Sequence, residues 1–112
     1  MADGDALALL QHQYDQLNDN WDDLKAKCEG SEELLATLKA EYVAANQNYQ
    51  SAINKVLDEG DAQVQTLITQ TDSATGQMDQ LLSSDAAIAD VVTAISHAVS
   101  LGTALAAKFT PV

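Results

Sequence analysis

At 112 residues the chain has room for one domain with a real core and none for a second. Alanine and leucine carry its 46% hydrophobic content, only five residues are aromatic and Pro111 is the sole proline, a composition that favours helices. Seventeen carboxylates face five lysines and no arginine, for a net charge of −12. That balance excludes the Lys/Arg clusters with which proteins bind nucleic acid or anionic membranes, while a negative surface steers a basic protein partner.

The first helix is expected over 4–29, capped by Asp3 or Asp5. Leu7, Leu10, Tyr14, Leu17, Trp21, Leu24 and Cys28 follow at alternating steps of three and four, the spacing of a coiled-coil-like seam. Asp15, Asp19, Asp22 and Asp23 fall on the opposite side and form a candidate acidic face. His12 joins that row at ligand spacing, but a single-helix row does not converge on a metal, so it reads as solvated. Cys28 reads as a small buried thiol; alone, it allows no internal disulfide.

After Gly30, suited to a left-handed helix end, Ser31 caps a second helix over 32–59. Its seam is Leu35, Leu38, Tyr42, Ala45, Tyr49, Ala52 and Val56, with Asn46, Gln47, Gln50 and Asn54 outside. Gly60 and Asp61 read as a stop and a restart, the alternative being one helix running through Gly60. The third helix, 62–83, keeps an apolar stripe from Val64 to Leu82 through Ile68 and Met78. Thr69 to Gly76 are poor helix formers, which predicts bending or fraying near Asp72–Gly76.

Ser83, Ser84 and Asp85 are expected to start the last helix, 85–108, which Lys108 and Pro111 close. Ile88, Val91, Val92, Ile95, Val99, Leu101, Leu105 and Phe109 cover much of its circumference, so it should be the most buried element. Ala94, Ala98, Gly102 and Ala106 form a ridge of small side chains. Filled by another helix of the chain, the ridge is core; left open, it is a face for self-association. The seventeen uncharged residues from Val91 to Ala107 fall just short of a membrane span, and membrane entry through them is the minority reading.

Rods of similar length joined by short connections imply one all-α domain over 1–112, an antiparallel four-helix bundle running up-down-up-down. His97 is expected to be buried and hydrogen-bonded, and Tyr14, Trp21, Tyr42 and Tyr49 to lie in the core. Ser96 and Ser100 stand in no triad or elbow motif, and no metal spacing, phosphate loop or dinucleotide fingerprint occurs. The expectation is therefore no catalytic residues, no metal and no cofactor. The acidic Met1–Asp5 start lacks the basic region of a secretory signal, pointing to the cytoplasm by default, with signal-less export as the other route.

The function this suggests is a non-enzymatic protein–protein interaction or assembly module that acts through its surface, by self-association or by docking on a protein partner, with the small-residue ridge as one candidate face. Two alternatives stand beside it. One is an acidic inhibitor or immunity-type protein that meets a basic partner with the Asp15–Asp23 face. The other is an exported or pore-forming component that uses the last helix.

Overall fold

A computed structural model describes residues 3–111, with side chains from Ala6 onward. The expected capping by Asp3 or Asp5 involves side chains outside that set. The described residues form five α-helices and two short strands: α1 (Asp3–Asp19), α2 (Trp21–Lys27), α3 (Glu32–Ala52), β1 (Lys55–Val56), α4 (Ala62–Leu82), α5 (Ile88–Ala106) and β2 (Thr110–Pro111). The fold is all-α, but with five helices where four were expected.

The extra helix arises at Asn20. Its side-chain amide donates to the Gln16 carbonyl at 2.8 Å, competing with its own backbone N–H for the same oxygen. The ladder resumes at once, with Leu24 N–H on the Asn20 carbonyl at 2.9 Å. Burial also carries across the break, since Leu17, Leu24 and Cys28 are all enclosed.

Local chemistry sets most of the other boundaries. Gly30, at φ +91°, makes the left-handed turn that lets the Ser31 N–H reach the Cys28 carbonyl. The Ser31 hydroxyl then accepts from Leu34 N–H, with Glu32 and Glu33 complementing the helix dipole. The Asp61 carboxylate accepts from the Gln63 and Val64 N–H groups at 2.8 and 3.1 Å. An Asp61→Ala change should therefore cost about 1 kcal/mol, read as a lowered midpoint in thermal or urea unfolding.

Two further expected boundaries are corrected. Helix α3 ends at Ala52 rather than 59, because Asn54 takes a left-handed conformation (φ 67°) that few other residues adopt. The chain then extends into β1, which pairs antiparallel with β2, Lys55 opposite Pro111 and Val56 opposite Thr110. Val56, expected on the seam, is exposed, while Leu57 and Phe109 fill that end of the core. Helix α5 starts at Ile88 rather than 85, because Ser83 and Ser84 turn their hydroxyls back onto the carbonyls of Asp79, Gln80 and Leu81 and finish α4 instead.

Helix α4 is continuous, against the expectation of a bend near Asp72–Gly76. Its threonines do not compete against the helix. Thr66, Thr69 and Thr75 each donate to the carbonyl four residues back, on Ala62, Gln65 and Thr71. Burial of Ile68, Thr71, Ala74, Thr75 and Met78 then holds the segment against its neighbours.

Helix α5 packs against α4, α3 and α1. Val91, Val92, Ile95, Val99 and Leu105 are enclosed, each aliphatic contributing about 2 kcal/mol by leaving water. The helix is nevertheless one-sided: Asp90, Thr93, His97, Ser100 and Ala104 form an exposed stripe at steps of three and four. By length and composition it could cross a membrane.

Two apolar clusters fill the interior. One takes the end of α1, α2, the first part of α3, the end of α4 and the start of α5, from Leu17 and Leu38 to Met78 and Ile95. The other takes the start of α1, the end of α3, the start of α4 and the end of α5, with Leu10, Ala52, Ile68 and Leu105.

Candidate functional site

Between the two clusters lies a band of buried polar side chains that fixes how the helices register. Gln13 on α1 is fully buried. Its amide donates to the Thr75 hydroxyl of α4 at 3.0 Å and to the Ala98 carbonyl of α5 at 2.8 Å. Asn48 on α3 is also buried, and its amide donates to Thr103 Oγ1 of α5 at 3.0 Å and, more weakly, to the Val99 carbonyl at 3.5 Å. Adjacent carbonyls of one turn of α5 are thus held from α1 and from α3. This arrangement orients helices; it brings no nucleophile to a base.

Sequence reading passed over both amides, although each had a signal. Gln13 lies three residues after Leu10 and four before Leu17, and Asn48 stands in the same relation to Ala45 and Ala52. In both helices an amide occupies a step of the buried line. The true inward line of α1 is Ala6, Leu10, Gln13 and Leu17, while Leu7 and Tyr14 lie on its flank, half-buried, as does Trp21 at the start of α2.

The ridge of Ala94, Ala98, Gly102 and Ala106 is filled from within the chain, the core alternative of its two readings, and is not left open as a candidate interaction face. Ala98, Gly102 and Ala106 are buried and Ala94 is half-buried. At Gly102 a Cβ would stand 2.5 Å from Gln13 Oε1 and 3.3 Å from Leu10 Cδ2. Only glycine lets α1 lie this close to α5 with the Gln13 amide between them. Gln13 Oε1 and the Thr71 hydroxyl oxygen are buried and find no hydrogen-bond partner among the described residues.

The acidic residues Asp15, Asp19, Asp22 and Asp23 are all exposed. Asp22 and Asp23 each have a lysine of their own helix nearby, Lys25 at 4.0 Å and Lys27 at 3.1 Å. These exposed pairs add little stability, but they offset part of the negative face. His12 is exposed, as its solvated reading expects, but it has a partner: its Nε2 lies 2.7 Å from Asp79 Oδ2, and Gln16 donates to the other Asp79 oxygen at 2.9 Å, joining α1 to α4.

Tyr14, Tyr42 and Trp21 stack in succession, with ring centroids 5.6 and 4.5 Å apart, across the contact of α1 and α2 with α3. They are half-buried and pack against the first core cluster. The Tyr42 hydroxyl donates to Asn18 Oδ1 at 2.7 Å, and hydrogen bonding with Tyr14, then burial, pushes its phenol above the ordinary range. Lys25 sits 5.8 Å from the Trp21 ring.

Cys28 is buried as expected, and burial raises its thiol pKa, disfavouring the reactive thiolate. His97 is corrected: it is exposed, on the rim of a groove between α4 and α5 of about 430 Å³. Among the described residues no three His, Cys, Asp or Glu side chains form a metal-binding group. No protein-family model, no curated protein and no solved structure matches the chain.

Proposed function

We propose that this protein is a non-enzymatic helical assembly module that associates with copies of itself. On this reading α1 and α2 act as one rod, and the chain is an antiparallel bundle of four rods running up and down between the two core clusters. The observation that supports the reading is an uneven charge distribution. Residues 1–61 hold thirteen acids and four lysines, net −9, whereas residues 62–112 hold four acids and one lysine, net −3. Depletion of charge, more than bulk apolarity, is what marks the centre of protein–protein interfaces. Self-repulsion over the first three helices leaves the α4–α5 side as the surface where two copies meet at least electrostatic cost. Light scattering over a concentration series tests this: the apparent mass should climb with concentration and climb further with added salt, and a constant monomer mass would refute it.

A further inference from the structure

We infer that the face shared by α4 and α5 binds a second copy of this chain about a two-fold axis near Gln70. The inference rests on the self-association reading above and names its surface and geometry. Two grooves meet at Gln70. One is lined by Thr69, Gln70, Ser73, Gln77, His97 and Leu101. The other, about 440 Å³, continues along the start of α4 past Gln63 and Thr66 to Lys108. No carboxylate lines either groove, although acids outnumber lysines by more than three to one in the whole chain.

The chemistry of this face selects its occupant. Amide and hydroxyl side chains both donate and accept hydrogen bonds. A two-fold interface sets a patch against itself, so its groups must be self-complementary. Gln70 near the axis can give its N–H to the Gln70 carbonyl of the second copy and accept the reciprocal bond, while Gln63 and Gln77, seven residues to either side, can pair with each other across it. A basic partner would find no carboxylate in these grooves, and a phosphate backbone would find a single lysine, Lys108, which already donates to Gln63 Oε1 at 3.3 Å, and the imidazole of His97. The half-buried Leu101 supplies apolar contact at the centre.

The expected strength follows from size. About 24 Å of two adjacent helices, each roughly 10 Å wide, offers on the order of 500 Å² per copy. That is below the ~800 Å² per partner of a standard interface, so the dimer should be weak and concentration-dependent.

Sedimentation velocity of the full chain, from about 10 μM to about 1 mM, tests the inference with two variants of equal added charge. Gln70→Glu with Gln77→Glu places repelling carboxylates in the groove; Gln47→Glu with Gln50→Glu places them on the exposed side of α3. The groove variant should associate at least tenfold more weakly than the parent and the α3 variant less than twofold more weakly, both keeping the parent's circular dichroism. Should the groove variant lose its helicity, Ser73→Asp is read in the same way. A parent that dimerises while the groove variant is unaffected, or while both variants weaken alike, overturns this surface. A parent that stays monomeric throughout overturns self-association itself.

Discussion

Gly102→Val should destabilise the protein by about 3 kcal/mol, while Gly76→Ala should stabilise it by about 1 kcal/mol. Both glycines lie inside helices, where glycine costs about 1 kcal/mol relative to alanine through lost backbone entropy. At Gly76, exposed on α4, a Cβ meets nothing within 4 Å, so only the helix gain remains. At Gly102 the added atoms enter space held by Gln13 and Leu10, both fully buried. The nearest atom is the end of a flexible side chain, which would ordinarily swing aside. Here the amide is fixed by its bonds to Thr75 and to the Ala98 carbonyl, so moving it breaks both. Overpacking of this kind typically costs 1–3 kcal/mol, and the second γ-carbon of valine places the change at the upper end. Chemical unfolding of the two variants beside the parent checks the opposite signs; a Gly102→Val protein as stable as the parent would mean that α1 does not lie against α5 as described.

Gln13 supplies the second large effect, and its direction depends on the replacement. Gln13→Glu should lose about 3 kcal/mol or more at neutral pH, since a buried carboxylate without a cationic partner is strongly disfavoured. Burial raises the folded-state pKa of such a group, so its stability is retained below the ordinary glutamate range and lost as pH rises through the raised value. The variant should therefore regain stability relative to the parent on acidification towards pH 4. Gln13→Met should do the opposite, gaining about 1 kcal/mol. It removes the partnerless Oε1, and an unpaired buried polar atom costs about 1–3 kcal/mol. Neither former partner is orphaned: the Thr75 hydroxyl still donates to the Thr71 carbonyl at 2.6 Å, and the Ala98 carbonyl keeps its place in the α5 ladder. Paired urea titrations at two pH values separate these outcomes. A more stable Gln13→Met protein would also mean that the amide is kept for specifying register rather than for stability, the role best attested for a buried amide in a helical seam.

The same contrast separates what was legible in the sequence from what was not. All-α content, the Ser31 and Asp61 caps, the Gly30 turn and the burial of Leu10, Leu17, Leu24, Leu38 and Cys28 follow from spacing and from side-chain chemistry within a few residues. Those signals are local, so they survive without knowledge of the partners. The α4 segment looked weak because propensity counts the Thr, Ser and Asp side chains of Thr69 to Gly76 as competitors for the backbone; in the folded chain the Thr69 and Thr75 hydroxyls bond back along their own helix, and neighbouring helices bury Thr71 and Thr75. Asn20 and Asn54 broke helices that apolar periodicity carried through, because periodicity does not register an amide or a left-handed backbone.

By itself the sequence determined the type of secondary structure, most of the cap chemistry and the apolar lines that must leave water, since each depends on residues three or four apart. Only the tertiary structure decided which face of each helix lies inward, that Gln13 and Asn48 hold neighbouring carbonyls of α5, that the small-residue ridge is filled from within, and that His97 stands outside. Those outcomes depend on contacts between residues some 50 to 85 positions apart, where a one-residue rotation of a helix exchanges a buried side chain for an exposed one and no local pattern fixes the choice.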